Sequence, residues 1–99
     1  MKPEINTVYT FKLLTGEEFV AKILEISADH MIIEHPILTV ISPQGLQMMP
    51  ALFSANQDKT VRLNNSSWAM IAETRDDVRD SWTQATTGIT PVRKSIITG

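Results

Sequence analysis

Between residues 8 and 26 the hydrophobic and polar positions alternate with a period of two. Tyr9, Phe11 and Leu13 alternate with Thr10 and Lys12. Further on, Phe19, Ala21 and Ile23 share one parity, and Val20, Lys22, Leu24 and Ile26 share the other. Alternation of this kind commits one face of a strand to a core. Thr15-Gly16 separates the two runs, and glycine takes φ > 0 without steric cost, so the segment predicts a tight hairpin between strands over 8–14 and 18–26.

Residues 27–30 are a short polar break. Residues 31–41 are rich in β-branched side chains and are interrupted by Pro36, which predicts an edge, a bulge or a bend because proline gives the ladder no donor. Ser42-Pro43-Gln44-Gly45 is a turn signal. Extended patterns resume over 46–55, with a bend at Pro50, over 60–63 after the polar turn 56–59, and over 68–73 after the tight connection 64–67. Thr74 followed by Asp77 resembles a capping box, Asp76 and Asp77 suit the positive end of a helix, and Val78, Trp82 and Ala85 recur at helical spacing. These signals predict a helix over 75–86, stopped by Gly88.

The chain divides into an N-terminal arm over 1–7, a compact unit over 8–88 and a tail over 89–99 that carries Pro91 and the pair Arg93-Lys94. The six extended runs are expected to build a five-stranded sheet followed by one short helix, in the order β-β-β-β-β-α. Connections this short make the sheet antiparallel, and five antiparallel strands in so short a chain are expected to close into a small barrel. The fold class is therefore mainly β, a strongly bent five-stranded barrel with a short C-terminal helix.

Composition adds exclusions. Ninety-nine residues make one domain, 42% hydrophobic and 20% charged, as in an ordinary globular protein. The absence of cysteine excludes disulfides and thiol chemistry and suits the cytoplasm. No hydrophobic segment follows Met1-Lys2-Pro3-Glu4, so no signal peptide is expected, and no run is long enough to span a bilayer. A net charge of −2 argues against general polyanion binding, although a local basic patch is compatible with it.

The residues of the first hairpin carry a resemblance. Gly16, Phe19, Ala21 and Ile23, continued by Ile26 and Ile32, are similar to the first motif of the Sm-like family, the ring-forming barrels that include bacterial RNA chaperones of the Hfq kind. Alanine stands where that family usually has glycine. Leu63-Asn64-Asn65 resembles the second motif, a hydrophobic-Arg-Gly element between the last two strands. The likeness covers roughly residues 8–73. The long third and fourth strands, broken by Pro36, Pro43 and Pro50, look most similar to small Sm-like proteins of tailed bacteriophages, including those of marine cyanobacteria.

This resemblance implies an Sm-like (SH3-like) barrel and a homo-oligomeric ring of five to seven subunits in the host-cell cytoplasm. It also implies an RNA-binding or RNA-chaperone-like role. In the family an aspartate and an asparagine in the turn after strand two, with an arginine in the second motif, build the nucleotide pocket. By spacing these positions correspond to Ser27, Met31 and Asn64, with Asp29 and His30 close by. Ser27, His30, Met31, Asn64 and Asn65 are therefore the candidate pore-side pocket. The alternative is a protein-interaction or structural ring without nucleic acid, motivated by the acidic balance and the missing aspartate–asparagine–arginine set. Its contact surface would be the methionines and the helix.

Other constellations read more simply. His30 and His35 fall on opposite faces of one strand, so they do not share a metal, and no cofactor is expected. Ser27, Asp29 and His30 crowd one turn, whereas a hydrolytic triad draws on separate segments. Trp68 and Trp82 are expected to pack, Trp82 as the anchor of the helix. Lys12, Lys22, Lys59 and Arg62 read as solvated strand cations interleaved with glutamates. No nucleophile with a base, metal cluster or phosphate loop points to an enzyme.

Overall fold

A computed structural model of the protein describes residues 1–87. The expected stop at Gly88 and the tail over 89–99 lie outside those residues. Six strands precede one helix: β1 (Thr7–Leu13), β2 (Glu18–Ile26), β3 (His30–Ser42), β4 (Gly45–Pro50), β5 (Val61–Asn64), β6 (Trp68–Glu73) and α1 (Asp76–Thr87), with a short 3-10 helix, Asn65–Ser67, between β5 and β6. Every pairing is antiparallel, in the order β4-β3-β2-β1-β6, with β5 also on β3.

The sixth strand has a simple origin. β4 pairs with the second half of β3, from Ile37↔Pro50 to Ser42↔Gly45, and β5 pairs with its first half, from His30↔Asn64 to Ile33↔Val61. The two strands thus fill one position beside β3, split by residues 51–60. The split lies opposite His35, whose φ of 51° is left-handed, and Pro36, whose carbonyl accepts the Ala51 N–H at 2.9 Å. β3 cannot continue its ladder through that pair, so Pro36 marks a break in pairing as well as a bend.

The expected closed barrel is not formed. The sheet path ends at β4 and at β6, and among the described residues those edges do not pair. The 3-10 helix carries the chain straight from the β3 flank to the β1 flank, so β5 and β6 have different partners instead of each other. The sheet is still bent. Register shifts leave two residues of β3, His35 and Pro36, opposite Ala21, and an extra residue on β2 at Leu24 and on β6 at Ala69, and such bulges increase local twist.

The first hairpin forms where the Thr15-Gly16 break predicts it. Leu13 N–H donates to the Glu17 carbonyl at 2.8 Å, Gly16 N–H donates to the Leu13 carbonyl at 3.0 Å, and Gly16 has φ 104°. The alternation along β1 and β2 then separates two apolar clusters. Tyr9, Phe11, Phe19, Ala21, Ile23, Met31, Ile33 and Leu63 form the inner one, bordered by Leu13, Val61, Trp68 and Ile71. Phe11 stacks on Phe19 with ring centroids 5.0 Å apart and meets Trp68 edge-on at 5.8 Å. Val8, Val20, Val78 and Trp82 form the outer cluster, with Ile37 and Met48 against it.

Helix α1 covers that outer cluster. Its buried residues are Val78, Trp82 and Thr86, so the third member of the stripe is Thr86, and Ala85 is exposed. Ala85 lies closer in angle to Val78, so a buried series at i, i+4, i+8 drifts around the helix and the apolar stripe crosses the sheet obliquely. Trp82 Nε1 donates to the His35 carbonyl at 2.8 Å, which ties the helix to the break in β3. The Thr74 hydroxyl is shared with that of Thr10 at 2.9 Å, and Asp77 takes the Arg75 guanidinium and the Val78 N–H, in place of the reciprocal capping box. Among the described residues no helix is long and apolar enough to cross a membrane.

Candidate functional site

Four of the five candidate residues meet at one end of the sheet. His30 opens β3 and pairs with Asn64 at the end of β5. The Ser27 N–H donates to the His30 carbonyl at 2.9 Å and closes the β2–β3 turn. Asn65 stitches the 3-10 helix to that turn: its N–H donates to the Asp29 carbonyl at 3.0 Å, and its Nδ2 donates to the Ala28 carbonyl at 3.4 Å. Ser67 Oγ donates to the Asn64 carbonyl at 2.6 Å, and Trp68 Nε1 donates to Asn65 Oδ1 at 3.3 Å. Backbone bonds of this kind hold a polar rim in place over the inner cluster.

Met31 does not join the rim. Its side chain is 4% exposed and packs inside the inner cluster. The period of two explains this: with His30 at the rim, its neighbour points to the other face. His35, the second histidine, lies away from the rim against Trp82, with ring centroids 6.1 Å apart. Among the described residues no group of three or more His, Asp or Glu side chains is placed to hold a metal ion.

The rim also contains two charged groups outside the candidate set. Asp29 Oδ1 and His30 Nδ1 are 2.6 Å apart. Arg62 Nε donates to Asn64 Oδ1 at 3.0 Å, and its Nη2 is 3.8 Å from Asp29 Oδ2. The hydrogen bond from His30, with smaller help from the charges of His30 and Arg62, holds the Asp29 carboxyl below the usual aspartate range. Both Asp29 and Arg62 face solvent, so the pair is a loose, screened contact, not an anchor.

Arg62 is the rim residue that the sequence reading leaves among solvated cations. A usable signal is present: Arg62 and Asn64 lie two apart on one short strand and therefore share a face. Whereas the family's arginine position holds Asn64 here, a guanidinium reaches that amide from two residues upstream. The rim can thus offer a planar donor fork to a phosphate or a base edge, an imidazole, and amide groups able to both donate and accept. No family model matches the chain, and no curated protein matches it.

Proposed function

We propose that the protein is the subunit of an Sm-like homo-oligomeric ring of five to seven copies, of phage origin, which binds single-stranded RNA at this rim and catalyses no reaction. The observation that carries the reading is the convergence of the β2–β3 turn, Asn64, Asn65 and the Arg62 guanidinium at one end of the sheet. Two features support assembly. The edges β4 and β6 lie at opposite ends of the sheet, and unpaired edges are templates for another chain. Head-to-tail pairing of such edges closes a ring when the rotation permits, which would repeat Arg62 around the axis and offset the chain's negative balance locally.

The test is a fluorescence-anisotropy titration of a labelled U-rich RNA at low and near-physiological salt. Binding is expected to saturate and to persist at the higher salt. Arg62→Gln should weaken it and flatten the log–log salt dependence by about 0.7 for each phosphate no longer neutralised. His30→Ala and Asn64→Ala should weaken it with less change in slope. Absence of binding at both salts, or indifference to all three substitutions, overturns the reading.

A second reading, a protein-interaction or structural ring without nucleic acid, is favoured by the tip of the β3–β4 hairpin. There the cross-strand partners Ile41 and Leu46 both stand exposed. Pull-down from nuclease-treated lysate separates the two, since protein partners persist and RNA-bridged ones vanish.

A further inference from the structure

The chain has six aromatic residues, and five of them are packed. Tyr9, Phe11, Phe19 and Trp82 are buried, and Trp68 is half-buried against Phe11. Phe53 is 76% exposed. It lies in residues 51–60, the segment that splits the strand position beside β3.

That segment is braced from within. Gln57 Nε2 donates to the Leu52 carbonyl at 2.8 Å and to the Ala55 carbonyl at 3.2 Å. Asn56 Oδ1 accepts the Asp58 N–H at 2.9 Å, and Ala51 is tied to Pro36. Phe53 is therefore presented on a closed turn. An ordered display of this kind lowers the entropy lost when a ligand stacks on the ring.

Beside Phe53 in the chain, Leu52 forms one wall of a cavity of about 350 Å³. Phe19, Leu38 and Val61 supply further apolar wall, and Glu17 and Arg62 supply charge. The volume and the mostly apolar lining with few polar groups are those of small-ligand sites. Arg62 is common to both places, lining the cavity and bonding Asn64 at the rim. The rim and the cavity thus share one residue, Arg62.

We infer that residues 51–60 and this cavity form a nucleotide site that extends the rim, in which one unstacked base of a single-stranded RNA rests against Phe53, next in the chain to the cavity wall at Leu52, while its phosphate meets Arg62. The inference depends on the RNA-binding reading proposed above and adds to it a contact outside the turn-derived pocket. Stacking on an exposed ring accepts any base, since every base has a π-face, so this site contributes affinity with little sequence preference.

The experiment uses a single-stranded RNA with a terminal dye and an internal 2-aminopurine, titrated with the full chain and with Phe53→Ala and Phe53→Trp. Anisotropy of the dye reads binding, and 2-aminopurine emission reads stacking. The unsubstituted protein should quench 2-aminopurine. Phe53→Ala should weaken binding at least about fivefold and abolish the quenching, with the salt dependence unchanged because Arg62 is intact. Phe53→Trp should retain both.

If Phe53→Ala binds and quenches like the unsubstituted protein, the inference fails while RNA binding stands. If the unsubstituted protein binds no RNA, both fail together. If Phe53→Ala changes the oligomer mass by sedimentation, Phe53 is a subunit contact and the inference is again overturned.

Discussion

The two apolar clusters on either side of the sheet are held in different ways. The inner one draws on β1, β2, β3 and β5 and is bordered by β6, so each side chain is fixed by neighbours from several strands. The outer one joins Val8 and Val20 of the sheet to Val78 and Trp82 of a single helix, and that helix is fastened by one indole N–H to one strained carbonyl. The inner cluster holds eight of the buried residues and the outer one four. The outer one closes a face that a bent sheet of this size would leave uncovered, and it depends on a single residue far more heavily.

Substitution at the centre of each cluster tests this contrast. Phe11→Ala should cost about 4 kcal/mol, because Phe11 is fully buried, stacked on Phe19 and edge-on to Trp68. Urea denaturation should show little folded protein at moderate denaturant. Trp82→Ala should cost about 3 kcal/mol, the lower end of the range for such truncations, because the vacated space lies under a helix free to shift. Far-ultraviolet circular dichroism should lose its helical part while the strands persist. Equal and complete unfolding in both variants would break the distinction.

A smaller effect is expected at the turn that feeds both clusters. A Cβ added at Gly16 would meet nothing within 4 Å, so Gly16→Ala isolates the backbone strain of φ 104°. The cost should be about 1 kcal/mol, read as a lower urea midpoint with an unchanged slope. A larger loss would mean that the hairpin register itself had moved.

The smallest effects belong to the polar seams of the two regions. Asp29 is held low chiefly by His30, and Asp77 chiefly by Arg75. A carboxyl whose folded-state pKa is depressed contributes stability above its unfolded pKa and loses it as the pH falls through the folded value. Both contributions should therefore be intact at neutral pH and fade only in acid, below the usual aspartate range. Carboxyl carbon titration by NMR should show His30→Gln raising the Asp29 midpoint without moving Asp77, and Arg75→Ala doing the reverse. A shift of both in either variant would show that the two seams communicate.

Much of this arrangement is legible in the residues. The parity of Phe19, Ala21 and Ile23 against Val20 separates the two clusters correctly, and Trp82 is the anchor that helical spacing indicates. The expected helix over 75–86 differs by one residue at each end from Asp76–Thr87. What is not legible depends on tertiary partners. Thr74 has the right residue types around it for a cap, yet its hydroxyl meets Thr10. Local pattern predicts extended chain over 46–55 and 60–63, but the first strand stops at Pro50 and residues 51–55 turn away, and local pattern does not show that the two strands share one flank of β3. Nor does it show that the chain leaves that flank through Asn65–Ser67, so the sheet stays open.

The candidate site divides in the same way. Ser27, His30, Asn64 and Asn65 are brought together because turn and motif spacing are local properties that a long-range ladder then aligns. Met31 enters the candidate set only through its correspondence with another family, and the alternation of its own strand takes it inward. Arg62 has a sequence signal in its two-residue spacing from Asn64, whose amide it bonds, whereas Phe53 is conspicuous only once every other aromatic is seen to be packed.

The break at His35 has a consequence for how freely this chain can vary. The ends of residues 51–60 are pinned by Ile37↔Pro50 on one side and Ile33↔Val61 on the other, and those ladders do not depend on what joins them. Loop-closure entropy rises only with the logarithm of length, so doubling the segment costs about 0.6 kcal/mol. The segment is thus an interchangeable cassette. Its length and its displayed side chains can be rewritten at little energetic cost, with no redesign of the scaffold beneath.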